Sequence, residues 1–162
     1  MCYDDTLEKV AHFGAPATAK TRSCDKHVYD IKLTNPTPAQ WMALRASVDW
    51  PTFSHEIAQK SLDATPFCVC AFDGDTLIGM GRVLGDGVFS FYIGNVMVSP
   101  DRQSEGVGRA IMEEIMRHVD ENAAPGAVAS LLAIKGKEDF YTRFGFEYRP
   151  DEKHGAGMSR YY

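Results

Sequence analysis

The sequence predicts an α/β (α+β) fold, a mixed and mostly antiparallel central sheet flanked by helices. Three features carry that expectation. Phe67–Phe72, Thr76–Leu84 and Val88–Val98 are apolar segments of strand length joined by short Gly/Asp turns, which makes an antiparallel meander. A long amphipathic helix follows, from about Gly106 to Asn122. The apolar run Val128–Ile134 comes after that helix, so it is expected to lie parallel to its neighbour and covered on both faces.

The elements follow in order. Residues 1–25 read as an N-terminal extension, with one short amphipathic helix carrying Leu7, Val10, Ala11 and Phe13 and a loop over 14–19; residues 26–162 read as a single domain. His27–Leu33 alternates apolar and polar residues, the period of a half-buried strand. Asn35-Pro36-Thr37-Pro38 breaks it, and Thr37 or Asn35 can cap a helix that begins near Pro38 and presents Trp41, Leu44, Arg45 and Val48. Pro51 ends that helix. Ser54 can cap a second one, with Ile57, Ala58 and Leu62 on its buried side. Asp73-Gly74-Asp75 and Gly85-Asp86-Gly87 are the meander's turns, where glycine accepts positive φ. In the long helix Val107, Ala110, Ile111, Ile115 and Val119 form the apolar stripe, and Arg109, Glu113, Glu114, Arg117 and Asp120 the wet face. Pro125-Gly126 ends it. Glu138–Phe144 reads as a short helix stopped by Gly145, and Phe146–Arg149 and Ala156–Tyr162 as final strands.

Composition narrows the function classes. A chain of 162 residues fits one domain of about 100–200 residues. Seventeen Lys and Arg against 22 Asp and Glu give a net charge of −5, a poor basis for sequence-blind nucleic-acid binding, so no nucleic-acid partner is expected. No run of about 18 apolar residues exists, so no membrane span is expected. Asp4 and Asp5 argue against a secretory leader. Cys2, Cys24, Cys68 and Cys70 form no C-x-x-C pair and read as reduced thiols, consistent with a cytoplasmic location. His12, His27, His118 and His154 show no metal-ligand spacing, and no metal is expected.

The junction at 98–109 is the segment richest in chemistry. A strand ends, Arg102-Gln103-Ser104-Glu105 makes a short loop, and Gly106-Val107-Gly108 opens a helix. The first turn of a helix has unpaired N–H groups and partial positive charge, and glycines let phosphate oxygens come close to them. Either the segment binds a phosphate group, or its glycines only ease a tight strand-to-helix turn. Ile111 stands where a dinucleotide fingerprint needs its third glycine, and Gly108 is followed by Arg109-Ala110 rather than the Lys-Ser/Thr of a P-loop.

Gln103-Ser104-Glu105-Gly106-Val107-Gly108 resembles the Q/R-x-x-G-x-G/A motif of the GNAT superfamily of N-acyltransferases, and it follows the strand end Val96-Met97-Val98-Ser99-Pro100 as that family's motif does. Phe140-Tyr141-Thr142-Arg143-Phe144-Gly145-Phe146 is similar to the family's F-Y-x-x-x-G-F segment. The resemblance runs from about residue 27 to the C-terminus. It implies a GNAT-like fold, acetyl-CoA as co-substrate, and a pyrophosphate held by the main chain of Gln103, Ser104, Glu105, Gly106, Val107, Gly108 and Arg109. It implies a pantetheine arm lying along Val96, Met97 and Val98, with a β-bulge at Gly94-Asn95 that aims an N–H near Val96 at the thioester oxygen. Phe140 would pack and line the cofactor cleft, and Tyr141 would protonate the departing thiolate. The family's asparagine about seven residues before that tyrosine is replaced here by Ile134, which removes one expected contact; Lys135 and Lys137 follow it.

The activity so implied is transfer of an acetyl group from acetyl-CoA to a primary amine of a small molecule by direct attack. Its rivals are a non-catalytic acyl-CoA-binding sensor or subunit, and acetylation of a protein N-terminus or lysine. Trp50 and Phe53 are the candidate substrate residues, in a region that also holds Trp41, Tyr161 and Tyr162; a homodimer is an open expectation. A general base is not assigned by the sequence: Asp49, His55, Glu56 and Tyr92 have suitable chemistry, and Asn95 does not.

Overall fold

The computed structural model describes residues 29–161, so the expectations for residues 1–28 and for Tyr162 lie outside the described residues. Local chemistry starts both leading helices. Thr37 caps α1 (Pro38–Ser47): its hydroxyl accepts from the Gln40 N–H at 3.2 Å, and the Gln40 side chain accepts in return from the Thr37 N–H at 2.9 Å. This reciprocal box stabilises a helix start by about 1 kcal/mol. Ser54 caps α2 (His55–Asp63) through the Ile57 N–H. The buried seam of α2 is Ala58 and Leu62 alone, a single i, i+4 pair. Ile57, expected beside them, is 56% exposed, because one residue of rotation carries it off so narrow a stripe.

The sheet has five strands in the order β1 (Asp30–Lys32), β2 (Phe67–Asp73), β3 (Thr76–Gly85), β4 (Ser90–Val98) and β5 (Val128–Leu131). The first four pair antiparallel, and β5 pairs parallel to β4, the mixed arrangement expected. Among the described residues β1 leaves out Tyr29 and Leu33 of its run, and β5 stops short of Leu132–Ile134. Asp86 builds the β3–β4 turn: its carboxylate accepts the N–H groups of Val88, Phe89 and Ser90, which hold it down to about 2. That delays β4 to Ser90, two residues later than its apolar run suggests. Among the described residues the final strands do not form. Arg149-Pro150 interrupts pairing, Tyr148 is bonded instead to Asp139 on α4 (Glu138–Thr142), and residues 151–161 are exposed.

Two cores sandwich the sheet. One face packs against α3 (Val107–Asn122) through Val107, Ile111, Met112, Ile115 and Val119; Met112 is a stripe residue the spacing missed, while Ala110 is only half-buried. The other face packs Cys68, Cys70, Leu77, Met80 and Met97 against Trp41, Leu44, Ala58 and Leu62 of α1 and α2. Cys68 and Cys70 share that face as expected, with sulfurs 3.9 Å apart. The hydrogen bond with Cys68, and then burial, push the Cys70 thiol far up, so it stays protonated and unreactive.

Gly81 sets how closely α3 lies on β3. A Cβ there would stand 2.7 Å from Ile115 Cδ1, 3.0 Å from Ile111 Cγ2 and 3.3 Å from Val96 Cγ2. Gly81→Ala should destabilise the protein by about 1–3 kcal/mol through overpacking. Chemical denaturation would read this, and an unchanged midpoint would show that α3 has room to retreat.

Candidate active site

The site begins where the sheet comes apart. β4 and β5 are paired from Ser90↔Val128 to Ile93↔Leu131, and there β5 ends while β4 continues to Val98. On its other edge β4 carries one extra residue against β3: Arg82 pairs with Gly94, but Met80 pairs with Met97. Asn95 takes φ 53, the left-handed conformation that such a bulge needs. The bulge falls in the stretch where Gly94-Asn95 marked it. Beyond it the β5-facing edge of the strand has main-chain polar groups with no strand beside them.

The cleft at this gap measures about 950 Å³. Val96, Met97 and Val98 form one wall, although the Met97 side chain itself is buried in the α1–α2 core. Gln103, Ser104, Gly106, Gly108 and Arg109 close one end, and Phe140 and Tyr141 stand on the border contributed by α4. Two predicted cofactor residues do not line it. Val107 is 1% exposed and packs in the α3 core, so only its main chain is available. The Glu105 carboxylate turns to Arg102 Nε at 2.9 Å.

The loop before α3 is held open by its own bonds. Ser104 (φ 68) and Gly106 (φ 85) are left-handed, and no side chain caps α3, so its first-turn N–H groups are not taken by a capping residue. Arg102 braces the loop through Asp73 at the β2–β3 turn and through Glu105, and Gln103 Nε2 donates to Val98 O at 3.1 Å. Arg102 Nη2 is a buried donor with no partner. A Cβ on Gly108 would meet nothing nearer than Val98 Cγ2 at 3.5 Å and would project into the cradle. Arg82, Arg102, Arg109, Lys137 and Arg143 line the cleft with one lining carboxylate, Asp49, although Arg102 is paired with Asp73 and Glu105 and Arg109 with Glu113 behind the wall. Spare donors, a glycine cradle and lining cations fit a diphosphate ligand such as coenzyme A. Ile134 and Lys137 line the cleft and Lys135 does not.

Tyr141 packs edge-on to Phe140 with ring centres 5.0 Å apart, and burial raises its phenol above the ordinary value. Its hydroxyl makes no hydrogen bond to any described residue. At the other end Trp50 lines the cleft with Val48, Leu84 and Tyr92. Phe53 does not: it packs edge-on against Trp41 at 5.2 Å, under the Arg45 guanidinium. Tyr161 is exposed and outside the cleft. Of the residues with a base's chemistry, Asp49 and Tyr92 line the cleft, whereas His55 and Glu56 do not, and Glu56 pairs with Lys60 at 2.7 Å. Sequence reasoning missed Arg82, whose signal was a lone charge inside the apolar run Thr76–Leu84.

A mixed sheet that divides beside a glycine loop and a helix N-terminus is an acyltransferase architecture, as the sequence motifs implied. A family model described as an acetyltransferase (GNAT) domain matches residues 43–160, and the chain belongs to this family. In Arabidopsis thaliana, GCN5-related N-acetyltransferase 2, chloroplastic, is 36% identical over 75 residues, 46% of this chain and 28% of that protein. Serotonin N-acetyltransferase 2, chloroplastic, of Oryza sativa subsp. japonica is 32% identical over 83 residues, 51% of this chain and 40% of its own length. The chain thus spans well under half the length of these two curated relatives. Among solved structures, a probable acetyltransferase of unknown function from meticillin-resistant Staphylococcus aureus is 33% identical with a TM-score of 0.77, over 83% of this chain and 100% of that one.

Proposed function

We propose that this GNAT-type acetyltransferase moves an acetyl group from acetyl-CoA to the primary amine of a small molecule by direct attack. The observation that carries the reading is the single cleft in which the divided β4 edge, the glycine loop and Tyr141 meet. Acetyl-CoA supplies the activated acyl group. The main chain of the loop holds its diphosphate, and the exposed edge at Val96–Val98 takes up its amides, which satisfies polar groups on both partners. The N–H near Val96 steadies the oxyanion as the amine attacks. Tyr141 then gives its proton to the leaving sulfur as the C–S bond breaks, and the attacking nitrogen sheds one proton to solvent, from which the phenolate is reprotonated. An ordinary phenol titrates near ~10 and a thiol near ~8.5, and burial raises this phenol further, so the acid is loaded at neutral pH. Because its value is raised, that proton is lost only as pH climbs through the shifted value, and the alkaline limb of kcat should lie higher than an ordinary phenol would place it. The buried, protonated Cys70 and its neighbour Cys68 lie outside the cleft, which speaks against a covalent acyl-cysteine.

Titration calorimetry with coenzyme A, followed by thiol release from acetyl-CoA across a panel of amines, tests the reading. Uptake with amine-dependent release supports it. Uptake with no release for any amine would make the protein a binder of acyl-CoA, and absence of uptake would end the proposal.

A further inference from the structure

The acceptor end of the cleft holds a cation that acetyl transfer itself does not use. Arg82 rises from the middle of β3 and is 7% exposed. Its Nε donates to Asn95 Oδ1 at 2.9 Å, and its Nη1 donates to Thr65 Oγ1 at 2.9 Å, Ser61 Oγ at 3.1 Å and Ser61 O at 3.3 Å. The guanidinium carbon lies 4.5 Å from the Trp41 ring centre. Every one of these partners is neutral. Among the described residues no carboxylate lies within ion-pair distance of Arg82. A guanidinium keeps its charge at neutral pH, and burying it without a counter-charge is costly.

One donor group is left over. Nη2 makes no hydrogen bond to any described residue and is not sealed from solvent, and Arg82 is part of the cleft wall. Three of the guanidinium's surroundings fix its plane, through Asn95, the Ser61–Thr65 pair and Trp41, so the remaining edge is presented rigidly. Arg82 is opposite Gly94 in the β3–β4 register, and its Nε partner Asn95 immediately precedes Val96. The unspent charge therefore sits beside the bulge where the acyl group is to be attacked. Arg45, stacked over Trp50 at 5.4 Å, adds a second positive charge behind the same wall.

We infer that the acceptor is an amine bearing a carboxylate close to its amino group, an α-amino acid or a near relative, and that Arg82 binds that carboxylate through Nη2. This rests on the acetyl-transfer reading. A planar guanidinium edge with its other nitrogens already committed matches one monoanionic carboxylate rather than a phosphate dianion, which needs more donors. Trp50, Leu84 and Tyr92 give the side chain of such an acceptor an apolar seat. A purely cationic amine would meet repulsion from Arg82 instead.

The test compares the standard α-amino acids with their amides and their decarboxylated amines, using the full-length protein. Calorimetry measures binding with and without coenzyme A, and thiol release measures turnover. At least one amino acid should bind and react with kcat/KM tenfold or more above its amide. Arg82→Gln should bring that ratio close to one while coenzyme A still binds, and Arg82→Lys should restore part of it. If the Gln variant fails to fold, the acid-to-amide ratio of the unaltered protein decides. Amides or decarboxylated amines that match or beat the acids would overturn the inference, as would failure of every amino acid to bind. Loss of coenzyme A uptake would count against acetyl transfer instead, and the acid-to-amide comparison without coenzyme A would still decide the role of Arg82.

Discussion

Tyr141→Phe should lower kcat by about 10²-fold or more while leaving acetyl-CoA affinity within about twofold. The substitution takes away one oxygen and little else. The ring keeps its edge-on neighbours, Phe140 at 5.0 Å and Phe146 at 6.4 Å, so the local aromatic packing survives. The hydroxyl is bonded to no described residue, so its loss leaves no protein group unsatisfied. An effect confined to kcat would therefore report the proton the phenol delivers to the leaving sulfur. The alkaline limb expected from the raised phenol should disappear in the variant as well. Thiol-release kinetics across pH, paired with calorimetry, provide the measurement; unaltered turnover would remove Tyr141 from the chemistry.

Gly108→Val should weaken coenzyme A binding by about 10- to 100-fold, the equivalent of about 1–3 kcal/mol of overpacking between ligand and loop. The protein itself has room for a β-carbon at this position. A Cβ at Gly108 would be 3.5 Å from Val98 Cγ2 and 3.6 Å from Phe140 Cζ, ordinary contact distances. Replacing a helical glycine also removes a conformational-entropy cost, so stability should hold. What the branched side chain occupies is the cradle. Thermal melting should show an intact fold beside the lost affinity, and undiminished binding would mean that the diphosphate lies elsewhere.

Local signals in the sequence were reliable where one residue dictates a backbone state. Thr37, Ser54 and Gly74 mark their caps and turn directly, and Gly106 marks the loop, because each acts within four residues. The bulge at Gly94-Asn95 was expected from the family resemblance rather than from a local signal, and the β3–β4 register shows it. Strand extent was less legible, because a strand exists only where a partner meets it. Residues 132–134 and 146–149 have the apolar content of strands, yet 132–134 are unpaired beyond Ile93↔Leu131 although β4 runs on to Val98, and 146–149 join no strand. Tertiary placement was the least legible of all. Phe53 and Trp50 are three residues apart and similar in chemistry, but Trp50 faces the cleft and Phe53 is claimed by Trp41. Arg82 passed unnoticed because its meaning depends on Ser61, Thr65 and Asn95, which converge on it only after folding.

The brace that Arg102 forms between Asp73 and Glu105 ties the loop before α3 to the β2–β3 hairpin before any ligand arrives. Its ordering entropy is thus settled during folding of the chain rather than during association. On the proposed acetyl-CoA reading, capture of its nucleotide end should then proceed as docking onto a rigid receptor, with an on-rate governed by diffusion and charge and not by a slow loop closure.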